Sequence, residues 1–158
     1  MYPIAHIGIT LFFASLFSLS FFYVAIASLL PDIIDKPLAI IGLVPCGRHI
    51  GHTFFTGIII SGLAYLIMRK KFVSISLLFG FLMHLLLDQP GFMPWFYPFI
   101  PYDFSACPAF GAYGLFAFIT DSMGLASLVF LFYTNFRFRG FVLGIIDNIK
   151  SYILRRNP

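Results

Sequence analysis

Long apolar stretches broken by short polar interruptions run the length of the chain. Residues 4–30 are almost continuously apolar, relieved by Thr10 and the small polar group Ser15, Ser18 and Ser20. One tilted helix fits this stretch, and so do two short helices folded back on each other near residues 15–20. Residues 31–51 read as a loop, because Pro31, Pro37, Pro45 and Gly47 punctuate them and bias their neighbours away from helix. The apolar run at 38–44 within that loop is too short to span a bilayer and is expected at the interface. Apolar character resumes from His52 to Met68, breaks at Arg69-Lys70-Lys71, and returns over 72–88. Residues 89–103 carry four prolines among aromatics, which forbids regular helix and suits the headgroup region, as an ordered rim. Residues 109–133 are apolar once more and are closed by Arg137 and Arg139. In the tail, Phe141, Val142, Ile145, Ile146, Ile149, Tyr152 and Ile153 recur at helical spacing, opposite Asp147, Asn148, Lys150, Ser151 and Arg155. That pattern predicts an amphipathic helix over 140–156 lying on a membrane surface. The whole predicts a single all-α domain over residues 1–158, a polytopic helical bundle of about four spanning elements, the first of them either straight or a folded-back pair.

Composition sharpens the picture to a membrane protein. Of 158 residues 60% are hydrophobic and 10% charged, with mean hydropathy +0.96; a water-soluble domain of this size could not hide so much apolar surface. The first stretch lacks the basic segment that opens a signal peptide. The net charge of +4 comes from cations at segment ends that form no face for nucleic acid, and no nucleic-acid partner is expected. Basic clusters at 69–71 and at Arg137 and Arg139 favour the cytoplasmic side of a plasma or inner membrane. The C-terminus is then cytoplasmic, and the loops at 31–51 and 89–107 face the other side.

Scarce polar residues gather on that other side. His84 and Asp88 stand four apart in an apolar segment, so at helical pitch they share one face as a chelating pair. Asp32 and Asp35, then Arg48, His49 and His52, fall in the loop expected at the same end. Burying such groups in hydrocarbon costs kilocalories unless they are paired, hydrated or metal-bound. Imidazole with carboxylate suits zinc, with manganese or iron as alternatives, and Arg48 beside such a centre has the fork geometry to hold a phosphoryl group. In a straight first helix His6 lies roughly 39 Å from Asp32; a fold-back brings both to one surface. Asp121, inside the last span, is an intramembrane carboxylate, either orienting a ligand histidine or protonated against a neighbouring helix. Cys46 and Cys107 fall in two loops on the same outer side, where a disulfide or two free thiols are open readings. Asp103 reads as a solvated loop residue and Trp95 as a headgroup anchor.

Five motifs appear in order: Ala5-His6-Ile7-Gly8, Leu30-Pro31-Asp32-Ile33-Ile34-Asp35, Arg48-His49-Ile50-Gly51-His52-Thr53, His84-Leu85-Leu86-Leu87-Asp88 and Pro94-Trp95-Phe96-Tyr97-Pro98-Phe99. Together they resemble the YdjM-like family of small membrane-bound, metal-dependent hydrolases, over about two-thirds of the chain. The family's pattern in turn is similar to zinc-dependent phospholipase C and the fungal single-strand nucleases. The resemblance implies that Asp32, His52, His84 and Asp88 surround one metal, with Asp88 bridging toward a second held partly by His6, and it favours the folded-back first segment. This chain departs from the pattern at Ile34, an extra residue between the aspartates, at Gly51 in place of Thr and at His49 in place of Gly. With no histidine after His84, a three-metal site is not expected.

The function expected from the sequence is hydrolysis of a phosphoester, of a lipid or another membrane-proximal substrate, with one or two divalent ions. Arg48 is expected on the phosphoryl group and Asp35 or His49 as general base. A non-catalytic metal-binding or ion-handling membrane protein, with Asp121 lining a path, is the alternative from another class.

Overall fold

The first apolar stretch folds back on itself. In the computed structural model, which describes residues 3–89, 91–107 and 114–156, helix α1 (Pro3–Leu16) runs into a turn and α2 (Phe21–Ala27) returns alongside it. Ser18 takes a left-handed φ of 55° in that turn, a conformation that residues other than glycine seldom adopt. The Ser20 N–H donates to Ser76 Oγ at 3.2 Å, fastening the turn to a neighbouring helix. The straight-helix alternative is thereby set aside.

Helix α3 (Leu30–Ile40) occupies the first half of the stretch expected to be loop. Pro31 is its second residue, where a missing N–H has no intrahelical partner to lose. Pro37 removes one internal bond, and the helix ends three residues later. Pro31 was therefore a poor breaker because it falls in the first turn, whereas Pro37 is tolerated within one turn of the helix end. A short 3-10 turn, Ile50–His52, leads to α4 (Phe54–Met68), which Thr53 caps by accepting the Thr56 N–H at 3.2 Å. Arg69, with φ 53°, closes α4 and reverses the chain into α5 (Lys71–Leu87). The rim contains a second 3-10 turn, Phe104–Ala106, before α6 (Gly114–Thr134) and α7 (Phe136–Arg156). Helix α7 begins at 136, ahead of the expected 140, because the Asn135 side-chain oxygen accepts the N–H groups of Arg137 and Phe138, each at 3.1 Å. The start of the last expected span, 109–113, lies outside the described residues.

All regular structure among the described residues is helical. Helix α1 packs along α6, and α5 is flanked by α2 and α4. At the α1–α6 crossing a Cβ on Gly8 would collide with the Gly124 carbonyl, and one on Gly124 would meet the Ile4 carbonyl. Small residues are what allow two backbones to approach so closely in an apolar bundle. Two buried clusters fill the interior, one around Leu11, Phe21, Val24, Leu131 and Phe138 and another around Val73, Leu77, Phe81 and Leu85. Large apolar side chains cover the outside as well, among them Ile59, Leu63 and Ile67 of α4 and Phe118 and Phe130 of α6, as expected of surfaces that face lipid. Among the described residues α6, with 21, is the helix long and apolar enough to cross a bilayer alone; α1, α4 and α5, with 14, 15 and 17 residues, are apolar but shorter.

This packing sorts the polar residues to two ends. Arg69, Lys70 and Lys71 occupy one end of the α4–α5 hairpin, and Arg137 reaches the same end, donating from Nη2 to the Ser18 carbonyl at 3.3 Å. The starts of α1 and α4, the ends of α2 and α5, and all of α3 meet at the other.

Candidate metal centre

Three helices and one 3-10 turn deliver donors to that second end. His6 comes from the first turns of α1, Asp32 and Asp35 from α3, His52 from the 3-10 turn, His84 from the last turn of α5 and Asp88 from the residue that caps it. His6, Asp35, His52 and His84 are wholly buried, and Asp88 nearly so.

The two central histidines have fixed tautomers. His52 Nδ1 lies 2.8 Å from Asp35 Oδ2 and His84 Nδ1 lies 2.7 Å from the Ser28 carbonyl oxygen. Both partners only accept, so each Nδ1 carries the hydrogen. The remaining Nε2 atoms then face each other at 3.2 Å, lone pair toward lone pair when both rings are neutral and sharing one hydrogen when His52 is charged. Asp32 Oδ1 is 3.5 Å and Asp88 Oδ2 3.8 Å from His52 Nε2, while Asp88 Oδ1 is 3.4 Å from His6 Nε2. Donors around a tetrahedral zinc ion stand roughly 3.4 Å apart. Converging lone pairs and carboxylates at this spacing fit a divalent cation.

Two donor groups lie within 4.8 Å of one another: His6 with Asp32 and His84, and His52 with His84 and Asp88. Because His84 Nδ1 is taken by Ser28, both groups draw on one remaining nitrogen. His6 stacks on His84 with ring centroids 4.0 Å apart, and neither of its ring nitrogens makes a hydrogen bond. A wholly buried imidazole without a hydrogen bond is costly unless something else satisfies it.

Asp35 is held by four N–H groups. Its oxygens accept from the backbones of His49 (2.6 Å), Gly51 (2.7 Å) and His52 (3.0 Å), besides His52 Nδ1. The backbone must pass so close that a Cβ on Gly51 would strike the carboxylate and the Pro31 carbonyl, which accounts for glycine there. Burial acts to raise the Asp35 pKa, and these donors outweigh it, keeping the carboxyl below its usual value. For Asp32 burial likewise acts upward, but hydrogen bonds from His52 and Lys36 and the Lys36 charge hold it well below the usual range. Burial pulls His52 down, while contact with Asp32 and Asp35 lifts it above an ordinary histidine.

Two cations flank the carboxylates. Arg48 Nη2 donates to Asp88 Oδ2 at 2.7 Å and Nη1 to the Phe92 carbonyl at 3.2 Å, with Gly91 packed against the guanidinium. Lys36 Nζ lies 2.6 Å from Asp32 Oδ2, one helical turn away on α3. Lys36 escaped the sequence reading, although its i, i+4 spacing from Asp32 was a visible signal.

The other expected residues fall around this core. The His49 ring packs against Tyr97 and Phe104, with centroids 4.7 Å apart in both cases. Asp121 accepts the backbone N–H of Ala5 at 3.0 Å; of its two expected partners, a ligand histidine or a neighbouring helix, this bond is to the neighbouring helix α1, and it fixes the chain beside His6. Cys46 and Cys107 are joined in a disulfide, with Cα atoms 6.4 Å apart, tying the loop of Arg48 and His49 to the rim. Asp103 caps the Phe104–Ala106 turn by accepting the Ser105 N–H, and Trp95 donates to Gln89.

An all-helical apolar bundle with such a cluster sealed at one end defines a membrane protein carrying a candidate metal centre. The chain belongs to the YdjM inner membrane protein family, which matches residues 1–146. No curated protein and no solved structure matches it.

Proposed function

We propose that this protein is a membrane-embedded, metal-dependent hydrolase acting on a phosphoester of a lipid or another membrane-proximal substrate. The observation that carries the reading is the pair of Nε2 atoms of His52 and His84, facing at 3.2 Å with both opposite nitrogens already committed. His52, His84, Asp32 and Asp88 would hold one ion, with His6 beside Asp88, and zinc suits this donor set best. Such an ion supplies Lewis acidity and an acidified water at neutral pH. Because a single His84 nitrogen serves both donor groups, we read one centre where two ions had been an option.

Asp35, with four N–H groups on its two oxygens, is here a positioning residue that holds the His52 tautomer, as carboxylates behind ligand histidines do. The proton-accepting role then passes to His49, whose buried Nδ1 makes no hydrogen bond. We read α1, α4 and α5 as crossing beside α6 and the centre as non-cytoplasmic. The exposed basic turn at the far end and the Cys46–Cys107 disulfide both support that side.

A second reading, ion binding without catalysis, is favoured by Arg48, whose guanidinium is already engaged by Asp88 and the Phe92 carbonyl. Turnover of a short-chain phospholipid or a chromogenic phosphodiester in detergent separates the two. The hydrolase reading expects zinc-dependent product release that chelation abolishes; an inert protein with zinc bound would establish the second.

A further inference from the structure

We propose that Lys36 grips the substrate, and that it selects the phosphate of an amphiphile over free phosphate. The inference rests on the metal-centre reading above and names the residue and the ligand chemistry.

The two flanking cations are built differently. Arg48 is buried, 7% exposed, and doubly engaged, so it is set in the wall. Lys36 is 35% exposed at its side chain and pairs with Asp32 alone among the described contacts. Asp32 in turn lies beside His52, so the ammonium stands at the open edge of the donor cluster. Asp32 Oδ1 already faces His52 while Oδ2 holds Lys36, so a cation held at Oδ1 would share the carboxylate charge and weaken its hold on the ammonium, freeing it toward an incoming anion. Lysine suits this role, as a mobile point charge on a flexible stem.

The surroundings select what that anion is attached to. Helix α3 is amphipathic with its acids inward: Asp35 is buried and Asp32 12% exposed, while Ile33 and Ile40 are 59% and 77% exposed. Ile33 and Ile40 precede and follow Lys36 by three and four residues, so they lie above and below it on the helix surface. Ile41 and Leu43, also exposed, extend the same lip. A cation between exposed isoleucines matches a phosphate joined to acyl chains, the stem lying on apolar surface and the head reaching the phosphate.

The test compares wild type with Lys36→Gln and Lys36→Arg in detergent, by calorimetry, for zinc alone, for inorganic phosphate with zinc present, and for dihexanoyl phosphatidylglycerol with zinc present. The expected result is wild-type zinc affinity in both variants, loss of both phosphate ligands by about tenfold or more in Lys36→Gln, recovery to within about threefold in Lys36→Arg, and a preference for the lipid over inorganic phosphate that Ile33→Ser with Ile40→Ser removes. Undiminished phosphate binding by zinc-loaded Lys36→Gln overturns the gripping role. Equal affinity for the lipid and inorganic phosphate overturns the amphiphile assignment. Failure of wild type to bind zinc strikes the underlying metal-centre reading instead, so the two failures are told apart by the first titration.

Discussion

The two ends of the α4–α5 hairpin carry charge on opposite terms. At one end Arg69, Lys70 and Lys71 stand exposed, where cations at a membrane surface cost little and interact with anionic lipid. At the other, His52, His84 and Asp88 are buried, with Asp35 wholly enclosed behind them, where each charge is expensive unless something answers it. Both clusters look alike as polar interruptions of an oily chain. What separates them is burial: the first needs only water, whereas the second needs partners, and its remaining lone pairs point at one another.

Removing a central donor should give the largest effect. His52→Ala or His84→Ala is expected to weaken zinc binding by more than about 100-fold, beyond what loss of an outer hydrogen-bond partner costs, as read by competition with a chromophoric chelator. Asp35→Asn keeps the shape but lacks a full set of acceptors for four N–H groups. An about 10- to 100-fold loss of zinc affinity is expected, and undiminished affinity would show that the buried carboxylate merely supports the loop. Asp121→Asn acts only through the backbone beside His6, and about threefold or less is expected in the same assay. Replacing Arg69, Lys70 and Lys71 together with glutamine should leave zinc affinity within about twofold, because that end lies roughly 20 Å from His84 along α5 and some two Debye lengths away. A large loss there would erase the contrast between the ends.

Much of this was legible before any coordinates. The apolar segments at 52–68 and 72–88 emerge as the helices α4 and α5 within two residues, since apolar runs bounded by a basic turn leave little choice. The gathering of His6, Asp32, His52, His84 and Asp88 could be read because such residues are too costly to scatter through an apolar chain. The fold-back near Ser18 was ambiguous, for apolar residues on both sides of a break fit one long helix equally well, and the otherwise stranded His6 and the family resemblance were what argued for it. Helix α3 was missed because its periodicity is inverted, acids inward and isoleucines outward, and because Pro31 falls in its first turn, where proline is tolerated, and Pro37 near its end. The hydrogen-bond partners of Arg48 and Asp35 were not legible, since these include the Phe92 carbonyl and three backbone N–H groups that no side-chain pattern announces.

The most direct measurement is the metal content of the purified full-length protein, by elemental analysis, beside the His52→Ala, His84→Ala double variant. About one zinc, manganese or iron ion per chain in the wild type, absent from a double variant that still purifies folded, is the predicted result. A wild-type chain that carries none of these ions and takes up none on addition would contradict the account at its centre.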